Sequence, residues 1–311
     1  MITTVTLNAS IDKAYFMDEA IENGTVMRVA RCINTAGGKG LNVARVAHLC
    51  GSDVIATGLV GGFNGSYLEA MLKDDGIRSD FYHVKGETRS CINILDPKYG
   101  STEYLEPGCE VEPEETAEFL DKVFPKVIAG SDVVTISGSV PKGMDKHIYE
   151  NLVARIKAAG KTAVLDTSGE LLKNGLAAKP DMVKPNRDEL EALFGTKIGS
   201  MEDVIALGRK IYDMGIANVV ISLGGDGAML ICSDGVFQGK SPKLDVVNTV
   251  GCGDSMVGAF AVGLERKMPP QEVLRYAVSV ASANAMSPHT GDFEPAVQKD
   301  IYEKTAEEKI G

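Results

Sequence analysis

The stretch Asn248-Thr249-Val250-Gly251-Cys252-Gly253-Asp254-Ser255 joins an apolar run, residues 244–247, to a small-residue, mostly apolar pattern of helical period over residues 256–264. A glycine on each side of Cys252 lets the backbone turn tightly and brings successive N–H groups together. At a helix start, those N–H groups and the helix dipole make a site for a developing anion. A carboxylate in the same turn is out of place if the site only binds phosphate. It makes sense if Asp254 must meet a hydroxyl whose new partner is that phosphate. The alternative is that Asp254 and Ser255 do no more than cap a helix.

The 311 residues are enough for a large core and one or two domains. An apolar fraction of 44% with 24% charged residues is that of an ordinary soluble globular protein. The formal net charge of −11 argues against broad binding to nucleic acid or anionic membrane. Any cluster of cations in so acidic a chain is therefore locally exceptional. The cysteines (Cys32, Cys50, Cys91, Cys109, Cys232 and Cys252) show no paired spacing and read as free thiols of a reducing compartment. The first seven residues are strand-like, without a basic lead or cleavage site, and no apolar run reaches membrane-spanning length, so the expected location is cytoplasmic.

Outward from the glycine turn, the chain alternates strands and helices. Residues 1–7 form a first strand, followed by Asn8-Ala9-Ser10-Ile11-Asp12 just past its carboxyl end. Ligands bind at that edge in open α/β sheets, so Asp12 is either a plain turn residue or a ligand contact. After Pro113 the alternation is regular, with strands at 133–137, 162–166, 182–184 and 219–223 and helices at 114–128, 146–159, 187–194, 204–214 and 270–285. Such an order predicts parallel βα units. Two pieces interrupt it: a β-like segment at 25–34 carrying Arg28 and Arg31, and a hairpin whose arms are 89–95 and 101–105. Together they are expected to form a small sheet standing off the main domain.

Five polar stations fall after predicted strands or at helix starts: Asp12, Lys39 with Asn42, Ser137 with Gly138, Lys184 with Asn186 and Glu189, and residues 251–254. Five on one edge of a parallel sheet point to a bound ligand. In Ala36-Gly37-Gly38-Lys39-Gly40-Leu41-Asn42-Val43-Ala44, three glycines surround one lysine at the start of a helical pattern, a backbone cradle with a point positive charge. It has neither the order of a Walker loop nor the spacing of a dinucleotide fingerprint. Asn186 and Glu189 are three apart and share a helix face. A carboxylate there suits a hydrated Mg²⁺ that also touches phosphate, although it equally suits a solvated first-turn acid favoured by the dipole. Asp254 at a helix N-terminus is expected to be ionised at neutral pH and a weak base, which phosphoryl transfer with late proton loss tolerates. Ser137-Gly138-Ser139 is not the Gly-x-Ser-x-Gly elbow of serine hydrolases, and the four histidines share no metal or triad spacing.

These motifs, over essentially the whole chain, resemble the ribokinase-like sugar kinases of the phosphofructokinase B family. One family signature resembles residues 36–44, continuing to Gly51 and Gly61, and the other resembles residues 248–261. The resemblance implies a three-layer α/β/α domain with a mostly parallel sheet, made of residues 1–12, 36–84 and 109–311. It also implies an inserted β-sheet lid of residues 13–35 and 85–108, which in relatives often pairs two subunits as a homodimer. It implies Asp254 as catalytic base with Gly251, Cys252 and Gly253 as the anion hole. Asn186 and Glu189 would serve Mg²⁺ and phosphate, the metal reaching Glu189 through water. Lys184, Ser222, Gly224, Gly227, Thr249 and Asn284 would lie near ATP. Asp12, Gly37, Gly38, Lys39, Asn42, Arg89, Arg28 and Ser137 would hold a sugar phosphate. Cys252 departs from the family's usual Ala or Ser, and a thiol beside the phosphate site is expected to confer sensitivity to oxidation or alkylation. Within the family, residues 85–89 and 102–106 most resemble tagatose-6-phosphate kinases, and 1-phosphofructokinases share most of these features. Lys39, Arg28 and Arg89 favour an already phosphorylated sugar. The rivals are a non-catalytic sugar-phosphate sensor on the same fold and, more remotely, a nicotinamide-dependent dehydrogenase.

Overall fold

Five β-branched residues in succession, Ile2-Thr3-Thr4-Val5-Thr6, form a fully buried first strand. Such side chains are stiff at χ1 and pack well on a pleated surface. The computed structural model describes residues 1–311. In chain order the strands are β1 Ile2–Thr6, β2 Ser10–Phe16, β3 Arg31–Gly37, β4 Val54–Gly61, β5 Arg78–Ser79, β6 Tyr82–Val84, β7 Arg89–Asp96, β8 Gly100–Leu105, β9 Val133–Ser137, β10 Thr162–Asp166, β11 Met182–Val183, β12 Asn218–Ser222, β13 Ala228–Cys232, β14 Gly235–Lys240 and β15 Ala306–Lys309. The large sheet runs β15-β14-β13-β12-β11-β10-β9-β1-β4-β5, with β6 also on β4. From β4 to β12 every pairing is parallel, and β13 to β15 close the sheet in antiparallel fashion. The carboxyl ends of β1, β9, β10, β11 and β12 therefore share one edge.

Two apolar layers cover this sheet, giving the three-layer α/β/α architecture. On one side the helices Lys39–Leu49, Cys252–Glu265 and Pro270–Met286 pack against Ile2, Val133, Val164 and Val220. On the other, Ile148–Ala158 and Met201–Asp213 pack against Val5, Val134, Ile136 and Leu165. Neighbours along a strand thus point into different layers, as the period of two requires. Burial on both faces explains why these strands read as near-continuous apolar runs.

A separate four-stranded sheet, ordered β3-β2-β7-β8, stands apart from the first. The hairpin of β7 and β8 lies where the turn residues place it. The segment at 25–34 does not: only its last residues enter β3, which runs on to Gly37, and Asp12 lies inside β2 rather than in a turn. Only Ser10 and Ile11 of β2 are fully buried, so its residues lack the clean apolar alternation that marks a strand. The helices Gly169–Leu176 and Pro295–Lys304 and the terminal strand β15 are further additions to the elements expected from the sequence. The apolar run at residues 244–247 forms neither strand nor helix on its way to the glycine turn, and Val246 and Val247 are exposed.

Candidate active site

The shared strand edge and the small sheet enclose one cleft of about 1510 Å³. Its walls carry every site residue expected from the sequence except Gly37, Arg28 and Asn284.

The helix Cys252–Glu265 begins at Gly251, whose φ of 81° is left-handed. A Cβ there would come within 2.6 Å of Thr290 Cγ2 and 3.0 Å of the Gly291 nitrogen, so both the conformation and the space call for glycine. No side chain caps this helix, and its first residues, 251–254, line the cleft. The Lys39–Leu49 helix starts in the same way: its N-cap is Gly38, with φ 102° and no capping side chain.

Asp254 sits in the first turn of its helix and is only 7% exposed. Asn42, from the second turn of the other helix, donates Nδ2–H to Asp254 Oδ2 at 2.8 Å. Burial, and then the charge of Asp166, push the Asp254 carboxyl up to about 6, against the lowering effects of Lys39, Asn42 and Lys184. Loss of hydration gives Asp254 a higher proton affinity than an exposed carboxylate at a helix N-terminus would have, while it stays mostly ionised at neutral pH, as expected. Lys39 reaches into the cleft from the first position of its helix. The charge of Asp166 holds its ammonium above the ordinary lysine range, against the desolvating effect of the cleft walls, with Asp254 and Glu189 adding to the rise.

Asp166 was not among the expected site residues. It is 1% exposed at the end of β10, with Lys184 Nζ 3.3 Å from Oδ1. Neither of its carboxylate oxygens has a hydrogen-bond partner in the protein, so the pair is held by charge alone. The available signal was positional: a carboxylate ends an apolar strand at the same edge as the other stations. Lys184 also lies beneath Gly253, where a Cβ would stand 3.3 Å from its ammonium nitrogen.

Asn186 and Glu189 form a reciprocal capping box on the helix Arg187–Phe194. The Asn186 side chain accepts from the Glu189 N–H at 2.8 Å, and Glu189 Oε2 accepts from the Asn186 N–H at 2.9 Å. This structural role fixes the carboxylate at the cleft wall and does not consume its second oxygen. No group of three or more His, Cys, Asp or Glu could hold a metal ion. A cation here would be one held by few carboxylates, waters and phosphate oxygens, the manner of Mg²⁺.

On the small sheet, Ser10 Oγ donates to Asp12 Oδ1 at 2.6 Å. Burial raises the Asp12 pKa, opposed by Ser10, Arg89, Arg45 and the Gly38 N–H. Gly37 does not face the cleft but makes room for this carboxylate, since a Cβ would lie 2.0 Å from Asp12 Cγ. Arg89 binds the Asn8 carbonyl through Nη2 at 3.0 Å and the Glu106 carbonyl through Nη1 at 2.9 Å, tying the small sheet to the end of β1. Arg28 is exposed in the connection between β2 and β3, away from the cleft.

Asn284 is fully buried, and its amide is spent internally. It donates to the Val250 carbonyl at 3.1 Å and to Cys252 Sγ at 3.4 Å, and accepts from the N–H groups of Gly291 and Asp292 at 2.8 and 3.2 Å. It staples the loop after the last large helix to the glycine turn instead of facing a ligand. Burial raises the Cys252 thiol above its ordinary pKa, which disfavours the reactive thiolate and weighs against the expected sensitivity. Ser222, Gly224, Gly227 and Thr249 line the other end of the cleft with the half-exposed Val246 and Val247. Exposed aliphatic side chains with a few convergent polar groups are usual at small-molecule sites.

Residues 5–296 match the model of the pfkB family carbohydrate kinases. The chain belongs to that family. This carbohydrate kinase, a phosphotransferase, is 38% identical over 308 residues to a tagatose-6-phosphate kinase of Staphylococcus epidermidis, covering 98% of each chain. It is similar to the structure of phosphofructokinase-2 from Escherichia coli in complex with potassium, with a TM-score of 0.92 and 29% identity over 97% of this chain and 98% of that one. Ribokinase from Arabidopsis thaliana, complexed with ribose and ATP, shares the fold at a TM-score of 0.79 and 20% identity, over 97% and 98% of the two chains. The ribokinase-like architecture of the kinase is thus established. No helix is long and apolar enough to cross a membrane.

Proposed function

We propose that the protein transfers the γ-phosphoryl group of ATP to the free primary hydroxyl of a ketohexose monophosphate, forming the 1,6-bisphosphate, with tagatose 6-phosphate as the preferred acceptor. The observation that carries this reading is the buried Asp254 carboxylate beside an uncapped, glycine-rich helix start, with Lys39 and Asn42 brought to it from a second such start. The 38% identity to a tagatose-6-phosphate kinase supports the choice of acceptor.

In this reading Asp254 accepts the proton of the attacking hydroxyl as the new P–O bond forms. ADP leaves with the electrons of the broken bond. The N–H groups of residues 251–253 face the charge that develops on the transferred group. Lys39, Asp12 and Arg89 orient the sugar phosphate, with Gly38, Asn42 and Ser137 alongside. Lys184, Asn186, Ser222, Gly224, Gly227 and Thr249 border the nucleotide. The fit to Mg²⁺ rests on the Glu189 carboxylate at the cleft wall, with the buried Asp166 carboxylate, paired to Lys184 by charge but accepting no hydrogen bond, adding negative charge nearby. When bound, the metal would neutralise phosphate charge. The small sheet would close the cleft as a lid. Val26 and Val29 in its loop and Tyr104 and Leu105 on β8 are exposed apolar residues suited to contact with a second copy.

ADP release measured with tagatose 6-phosphate, fructose 1-phosphate and fructose 6-phosphate tests the proposal. The highest kcat/KM is expected with tagatose 6-phosphate. A higher value with fructose 1-phosphate would transfer the assignment to a 1-phosphofructokinase, and no ADP with any of the three would overturn it.

A further inference from the structure

Arg45 lies on the Lys39–Leu49 helix, three residues beyond Asn42 on the same face, and its side chain is 12% exposed. An arginine in a helix interior ordinarily extends to solvent. This one turns inward. Its Nη2 donates to the Ala36 carbonyl at 2.8 Å, and Nη1 lies 3.4 Å from both Asn42 Oδ1 and the Thr290 carbonyl. Asp75 is its ion-pair partner, 3.5 Å from Nε, and the charge of Arg45 is also felt by the Asp12 carboxyl.

These contacts converge on the Asp254 site from behind. Asn42 has two faces, an amide NH₂ and a carbonyl oxygen, and only the NH₂ can donate to a carboxylate. A guanidinium has donors alone, so Arg45 can meet only the oxygen face of Asn42. With Oδ1 engaged by Arg45, the NH₂ is directed at Asp254, 2.8 Å away. The opposite amide orientation would set N–H against guanidinium on one side and oxygen against carboxylate on the other. Arg45 also holds the 290 carbonyl, whose neighbours Thr290 and Gly291 abut Gly251.

We propose that Arg45 is a positioning residue for phosphoryl transfer, which sets the amide orientation of Asn42 and through it the proton affinity and placement of Asp254. The inference rests on the reading of Asp254 as base. Arg45 touches neither substrate nor reacting atoms in this account; it acts through Asn42.

The test is the pH dependence of kcat/KM for the intact enzyme and for Arg45→Lys, Arg45→Gln, Asn42→Ala and the Arg45→Gln/Asn42→Ala pair, each with its thermal unfolding curve. Asn42's hydrogen bond lowers the Asp254 pKa, so a misdirected amide raises it and moves the acid limb to higher pH. Lys39, Asp166, Lys184 and Cys252, the other titratable groups around Asp254, are unchanged in all Arg45 variants. Asp12, whose carboxyl pKa Arg45 also lowers, is controlled for by Arg45→Lys, which keeps the charge. Arg45→Gln is expected to lower kcat about tenfold, the worth of one oriented hydrogen bond, and to move the acid limb upward. In the Asn42→Ala background the same change should cost less than about twofold, because coupled residues are not additive. Arg45→Lys keeps the charge and is the variant to use if Arg45→Gln does not fold; it should show the same displaced limb with a smaller loss. An unmoved limb, or full additivity with Asn42→Ala, would make Arg45 a packing residue and overturn the proposal. If wild type shows no transfer, or Asp254→Asn retains it, the reading of the site fails instead, and the two failures are distinct.

Discussion

The two glycine-rich turns use the same backbone device with opposite charge. Gly38 and Gly251 each open a helix in a positive-φ conformation without a capping side chain, and the first residues of both line one cleft. The first turn carries Lys39, exposed to the cleft; the second carries Asp254, buried and carried up to about 6. A cation on an exposed arm suits holding an anion. A desolvated carboxylate suits accepting a proton. Asn42, rising from the first turn to hydrogen-bond Asp254, joins the two, and the pair therefore works as one site.

Breaking the second turn should do the greater harm. Gly251→Ala must force a side chain into left-handed backbone against Thr290, at about 1–2 kcal/mol for the conformation alone. It should lower kcat about a hundredfold by misaligning N–H donors, with sugar affinity little changed. Steady-state kinetics with calorimetric binding would show this, and a variant with native kcat would remove the turn from the chemistry. Breaking the first turn should separate differently. Lys39→Met should raise KM for the sugar phosphate about thirtyfold while kcat changes less than about threefold, the effect of one charge-assisted contact made equally before and during reaction. An equal loss in kcat would mean that Lys39 acts on the transferring group. The smallest effect is expected at Cys252, whose thiol is held largely protonated. Cys252→Ala should leave kcat within about twofold, since backbone N–H groups there do not depend on the side chain. Iodoacetamide should inactivate slowly at pH 7; rapid loss would restore the view of a reactive thiol.

Much of this geometry is legible in the amino-acid sequence because strand period, glycine position and helix starts are local properties. The parallel βα series after Pro113 and the shared helix face of Asn186 and Glu189 follow from pattern alone, while the capping box that joins the two is seen in the fold. What escaped depends on distant partners. Strand β2 escaped because its half-buried residues give little alternation. Asn284 looks like any polar residue in a small-residue helix, and only the fold shows its amide spent on Val250, Cys252, Gly291 and Asp292. Arg28 belongs to a charge cluster in composition but not in space. Arg45 and Asp166 were missed for opposite reasons. One is a cation on an apolar helix whose contacts only the fold reveals, and the other a carboxylate that reads as the last residue of a strand.

Asp254→Asn is the most direct test of the division between a turn that binds and a turn that reacts. The predicted result is affinity for ATP and sugar phosphate close to wild type by calorimetry, with kcat reduced about a thousandfold. Stability provides a second readout on the same protein. A carboxyl raised by burial makes its ionised form a burden on the native state, and that burden grows as pH rises from the ordinary carboxylate range through about 6. The variant should therefore unfold at a higher temperature than wild type at pH 8, by the equivalent of roughly 3 kcal/mol, with the gap closing near pH 4. Near-native turnover by Asp254→Asn, or loss of substrate binding in step with turnover, would contradict the account.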